Sequence, residues 1–278
     1  MKGESDVNQK TGVEVVIVGA GLIGLSTAYF LQRLGAKVTL IEKAFIADSI
    51  PNLGLAKALL YCKSTQSGSL TDRGLTLTEV MVAELEYRGS RQDDGDEVFV
   101  TDARSPGSKR SVLLSDFAQD IADSCRKSGV RIIETDPVST LLVKNDVVHG
   151  VETARGFFTA DVVVISAGLQ SQPLLRSVGL SVQLQAADSR LGASSARQGI
   201  PGVFTGMVPL TPNGEPYVGR PEGILGLYLG IGHDTNPAAA IAVGEMLATG
   251  ICTSSDALAL TLTRTDCPMT QSTCNSAP

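Results

Sequence analysis

An apolar strand, a glycine cluster and a helix follow one another near the start of this chain, and few folds accept that succession. The run Glu14-Val15-Val16-Ile17-Val18 leads straight into Gly19-Ala20-Gly21-Leu22-Ile23-Gly24. A short run that is apolar throughout is a parallel strand buried on both faces. The stretch 22–34 then places Leu22, Leu25 and Tyr29 on one helical face, and Gly35 stops the helix. Lys37 to Glu42 forms the next strand. Two parallel strands joined by a helix commit the chain to an α/β fold.

Each residue of the G-x-G-x-x-G run has a task. Gly19 permits the tight turn out of the strand. Gly21 lets the backbone approach a pyrophosphate, and a positive φ is expected there. Gly24 lets helix and strand pack closely. The amides at the helix start, with the helix dipole, bind phosphates. Glu42, at the end of the second strand, accepts hydrogen bonds from ribose hydroxyls. Its charge repels a 2′-phosphate, which disfavours NADP and leaves NAD and FAD open.

Composition excludes several other classes. The 23 Lys and Arg against 29 Asp and Glu give a net charge of −6, so there is no basic surplus for nucleic acid. No apolar run approaches the about 20 residues of a membrane span, and residues 1–12 have no apolar signal core. The 5 cysteines share no metal-ligand spacing, and the 2 histidines lie far apart, so no metal site is expected. Free thiols suit a cytoplasmic protein, with an organellar lumen as the other option.

Further along, 43–72 is irregular, with room for a short helix at 53–61, and 74–87 has a helical pattern. A strand is possible at 98–100, followed by a polar loop at 103–110. Ser115 caps a helix carrying Phe117, Ile121 and Cys125, which Gly129 ends. Strand-like runs fall at 130–134, 138–143, 147–153 and 156–159, and Asp161–Ser166 runs into Ala167-Gly168. Later strands are expected at 203–204, 217–219 and 227–231, and an alanine-rich helix at 237–249 opening on Thr235 or Asn236.

Three blocks together resemble the D-amino-acid oxidase family of FAD-dependent oxidoreductases, which includes glycine oxidase, sarcosine oxidase and D-amino-acid dehydrogenase. They are Val15–Lys43, Asp116–Gly179 (with Pro137-Val138…Leu141 and Asp161–Gly168), and Pro209–Gly250 (with Thr211-Pro212-Asn213-Gly214-Glu215-Pro216-Tyr217-Val218-Gly219 and Gly232-His233). The resemblance implies noncovalent FAD. It places the pyrophosphate on Gly19, Gly21, Leu22 and Ile23, the ribose on Glu42, and the adenine beside Lys43 and the backbone of Val138. Ala167-Gly168 would pass close to the nucleotide. Asn52 and Gly54 would approach the flavin, and Gly232, His233 and Asn236 would sit at the flavin end of the last helix. His233 is equally a hydrogen-bonded loop histidine. No catalytic acid or base is assigned.

The implied architecture is a Rossmann-like FAD-binding domain with a reduced antiparallel β substrate or cap region. The expected divisions are a disordered 1–12, the FAD-binding part 13–180 with an inserted loop 43–110, a substrate-domain remnant 181–206, the returning FAD-binding part 207–252, and a disordered tail 253–278. The implied activity is oxidation of a C–N bond of an amine or amino acid by hydride transfer to flavin N5.

Substrate recognition departs from the family. Glycine-oxidase-like members have arginines where this chain has Val208 and Thr235, and an arginine fork is what pairs a carboxylate bidentately. A second hypothesis is therefore an FAD-binding protein or subunit with little catalysis of its own, its flavin covered by a partner or a second copy. A nicotinamide dehydrogenase is a third, which the Gly232-His233 block disfavours.

Overall fold

The computed structural model describes residues 12–46, 69–85, 100–101, 109–110, 114–188, 207–232, 237–253, 259–260 and 262–264. The helix expected at 53–61, the strand at 203–204, and Asn52, Gly54, His233 and Asn236 lie outside these.

The elements run in this order: β1 (Glu14–Val18), α1 (Leu22–Arg33), β2 (Lys37–Ile41), α2 (Ser69–Glu84), β3 (Val100–Thr101), β4 (Lys109–Arg110), α3 (Leu114–Lys127) and β5 (Arg131–Ile133). Then come β6 (Val138–Lys144), β7 (Val147–Thr153), β8 (Gly156–Thr159), β9 (Val162–Ile165), α4 (Ser171–Arg176), β10 (Leu180–Ser181) and β11 (Gln185–Asp188). The last are β12 (Met207–Leu210), β13 (Tyr217–Pro221), β14 (Leu227–Ile231), α5 (Pro237–Thr253), β15 (Ala259–Leu260) and β16 (Thr263–Arg264).

The main sheet has 7 strands in the order β15-β13-β14-β9-β1-β2-β5. Its centre, from β14 to β5, is parallel throughout, and β13 returns antiparallel along β14. Alternation along β1 sorts side chains to two faces. Val15 and Ile17 join the core with Leu25 and Leu31 of α1, Phe117 and Ile121 of α3, and Ile241 and Val243 of α5. Val16 and Val18 face the other way, into a second core with Leu141, Val148 and Val151. Those three belong to the antiparallel meander β6-β7-β8, which covers the second face. Residues 15–18 are all buried because both faces are covered.

Several boundaries differ from expectation. Helix α1 ends at Arg33, and Gly35 (φ 84°) makes the left-handed exit. Helix α2 begins at Ser69, not 74, because Gly74 is an interior glycine fitted against α5 and not a helix start. Helix α3 already includes Leu114, so Ser115 lies inside its first turn and does not cap it. Helix α5 continues to Thr253, with Gly250, Ile251 and Cys252 buried; packing overrides the glycine as a stop.

The stretch from 253, expected as a disordered tail, contributes two short strands. β15 pairs with β13 at the edge of the main sheet, and β16 pairs with β10. Strand β12, placed with the FAD-binding part, pairs with β11 of the expected substrate remnant. Among the described residues that region is a two-stranded ribbon.

Candidate functional site

Strand registers set the stage. Ile133, Ile41, Val18, Ile165 and Leu229 form one transverse row across five parallel strands. The chain leaves the sheet just past this row, at Gly19, Glu42 and Ser166. That carboxyl-end edge is where doubly wound sheets hold their ligands.

The glycine turn is locked from several sides. Gly19 has φ 103° and donates its amide to the Ile41 carbonyl at 2.8 Å. A Cβ on it would lie 2.6 Å from the Ser166 carbonyl oxygen, so no side chain fits. A Cβ on Gly24 would collide with the Gly19 carbonyl. Ser166 donates its hydroxyl to the Val18 and Gly19 carbonyls, both at 3.1 Å. The sequence offered only the small residue at the end of a strand as a signal for Ser166.

Gly21 behaves differently from expectation. It is the N-cap of α1, with φ −68° and ψ 178°, an extended conformation open to any residue. A Cβ there would meet no atom within 4 Å. Neither backbone strain nor packing demands glycine here. The helix amides beyond it, those of Leu22 and Ile23, have no acceptor within the helix, because Leu25 makes the first helical bond, to the Gly21 carbonyl at 2.9 Å. The result is a positive helix end facing open space.

Glu42 is 3% exposed and lies beside this turn. One of its carboxylate oxygens accepts from the Ala20 amide at 2.7 Å, and the other from the Ala44 amide at 3.1 Å. Each oxygen keeps a further lone pair. Lys43 is exposed next to it. The Asp136 amide donates to the Glu42 carbonyl at 3.0 Å, which brings the half-buried Val138 to the same edge. Asp136 itself is 1% exposed and accepts from the Thr153 hydroxyl at 2.9 Å.

Gly168 and Gly232 each lie three residues past the paired Ile165 and Leu229, beyond the same sheet edge. Both have positive φ, 56° and 78°. A Cβ on Gly168 would approach the Pro209 ring at 4.0 Å, and one on Gly232 would collide with the Thr211 methyl. Strand β12 therefore lies against the exits of β9 and β14. The Thr211 and Ser171 hydroxyls are buried there without a hydrogen-bond partner.

The structure thus brings Gly19, Gly21, Leu22, Ile23, Gly24, Glu42, Lys43, Val138, Ala167, Gly168 and Gly232 to one sheet edge. Among the described residues no cluster of His, Cys, Asp or Glu could hold a metal ion, and no helix is long and apolar enough to cross a membrane.

Residues 14–95 match the model of the DAO family, described as FAD dependent oxidoreductase. That stretch of the chain is similar to the family. It is 24% identical over 219 residues to the uncharacterized oxidoreductase YurR of Bacillus subtilis, an alignment spanning 61% of this chain and 58% of that protein. It is 27% identical over 181 residues to a D-amino acid dehydrogenase of Cereibacter sphaeroides, spanning 43% of this chain and 41% of that one. The matches therefore span less than two thirds of these relatives' length. The fold is similar to glycine oxidase from Bacillus cereus, with a TM-score of 0.66 and 20% identity over 88% of this chain and 96% of that one.

Proposed function

We propose that this chain binds FAD noncovalently along the carboxyl edge of its parallel sheet and oxidises a C–N bond of a small amine or amino acid. The observation that carries the cofactor is Gly21. The protein has no steric or conformational need for glycine there, yet the position caps the free α1 amides beside empty space, which suits close approach of a phosphate.

The residues present fit the cofactor. The Leu22 and Ile23 amides would hold the pyrophosphate, with the α1 dipole favouring its charge. The spare lone pairs of Glu42 would accept from the adenosine ribose hydroxyls. Lys43 and the Val138 backbone would border the adenine. Ala167-Gly168 and Gly232 present bare backbone, which lets a flat ligand lie close. The resemblance adds His233 and Asn236, and Asn52 and Gly54, as further candidates toward the flavin; all four lie outside the described residues.

When bound, FAD would supply the redox chemistry, as the two-electron acceptor for oxidation of the C–N bond. The chain's own part is to orient the ring and keep water from it. The names of the relatives support amino-acid or amine substrates.

A second reading is an FAD-binding subunit without turnover of its own. Two observations favour it: the ribbon β11-β12 is small, and position 208 is valine. A partner protein or a second copy would then cover the flavin. An absorption spectrum of the purified protein, with and without denaturant, tests the cofactor. Release of free FAD supports noncovalent binding, and a colourless protein that takes up no added FAD refutes it. Steady-state oxidation of a panel of amines and amino acids then separates the two readings.

A further inference from the structure

Helix α5 is wedged between two others, with a glycine at each point of closest approach. On one side, a Cβ on Gly74 of α2 would collide with the Ala238 carbonyl, in the first turn of α5. On the other, a Cβ on Gly244 would collide with the Ser26 side chain of α1. Ser26 donates its hydroxyl to the Leu22 carbonyl at 2.6 Å and lies 3.3 Å from the Ala240 carbonyl. The first turn of α1 and the first turns of α5 are thus held in fixed register.

That register matters because α1 and α5 leave the same sheet edge. α1 follows β1 and α5 follows β14, with β9 between them. Two strand spacings put the helix starts about 10 Å apart across the sheet. A ligand held by its phosphates at α1 extends toward α5.

We propose that Gly74 is a positioning residue: its contact with the Ala238 carbonyl sets where α5 begins, and so seats the flavin half of FAD without touching the adenylate half. The inference rests on the FAD reading above. The contact that decides is steric. The neighbouring Arg73–Glu245 ion pair joins the same helices, but Arg73 is 55% exposed and such pairs contribute little. Adding a methyl at Gly74 forces α2 and α5 apart, because backbone cannot yield as a side chain tip can.

The test compares titrations of FAD and of ADP, which has the adenosine and pyrophosphate but no flavin, in Gly74→Ala, Arg73→Ala and wild-type chains. Gly74→Ala is expected to weaken FAD roughly 10- to 100-fold, as misplacement by about 1 Å does elsewhere, while ADP stays within about twofold. Arg73→Ala is expected to leave both affinities unchanged. Equal loss of FAD and ADP in Gly74→Ala overturns the proposal, as does failure of that chain to fold, since Gly74 would then serve the whole core. Unchanged FAD affinity overturns it too. A wild-type chain that binds ADP but not FAD contradicts the FAD reading itself, before any variant is compared.

Discussion

The buried carboxylate of Glu42, at the end of β2, accepts the amide of Ala20 in the glycine turn at 2.7 Å. The acid is therefore a brace within the protein, beside the ribose role proposed for it. Glu42→Ala strands the Ala20 and Ala44 amides, and each bond to a charged group contributes about 1.5–3 kcal/mol. We expect a loss of about 2–4 kcal/mol in stability in the ligand-free protein. FAD should bind roughly 10- to 150-fold more weakly. Glu42→Gln keeps one acceptor oxygen and should fall between. Urea unfolding of the apoprotein checks the brace; unchanged stability in Glu42→Ala would leave only the ribose role.

Gly21→Val should separate folding from binding. The site for the new side chain is empty and the backbone is already extended. Valine is a poorer N-cap than glycine, so the cost to stability should be about 1 kcal/mol or less. Cofactor content should fall to background. A purified variant with the wild-type flavin-to-protein ratio would remove the glycine turn from the site.

Ser166→Ala removes a hydroxyl that serves two carbonyls of the turn. The expected loss is about 1 kcal/mol in stability, with a less than tenfold loss in FAD affinity. An affinity loss as large as that of Glu42→Ala would mean the hydroxyl touches the ligand directly.

Alkaline pH should destabilise the fold through Cys125. Burial pushes its thiol from an ordinary 9.0 up to about 12. Burial and the Glu84 hydrogen bond raise Tyr29 in the same direction. A raised folded-state pKa means the folded protein holds its proton longer than the unfolded chain. Stability is therefore constant below about pH 9 and falls between about 9 and 12. Cys125→Ala should flatten part of that slope in chemical denaturation series, at the expense of a small core cavity. An identical slope in the variant would assign the whole effect to other groups.

The site was legible in sequence where backbone geometry alone makes it. Val15 to Val18, the glycines and Glu42 are local in the chain, so their order already implies a strand, a turn, a helix and an acid. Gly168 and Gly232 were found only through family likeness, and their meeting depends on the pairing of β9 with β14. Ser166 acts across the sheet on Val18 and Gly19, a relationship no local pattern carries. The helical pattern is expected over 74–87, whereas α2 already starts at Ser69; the fit of Gly74 against Ala238, far along the chain, is not carried by local pattern. For Gly21 the pattern predicts a positive φ, whereas its backbone is extended and the space beside it is empty.

Strand β15 has only two residues, yet it lies alongside Arg220 and Pro221 of β13. Without it, β13 would end the sheet with its hydrogen-bonding groups turned to solvent along its whole outer side. Bare strand edges recruit other chains. Cutting the chain after Thr253 should therefore show itself first in the test tube as clumping that worsens with protein concentration. The missing proline N–H of Pro221 would slow that association, and the two residues of β15 cover the Arg220–Pro221 end of the edge.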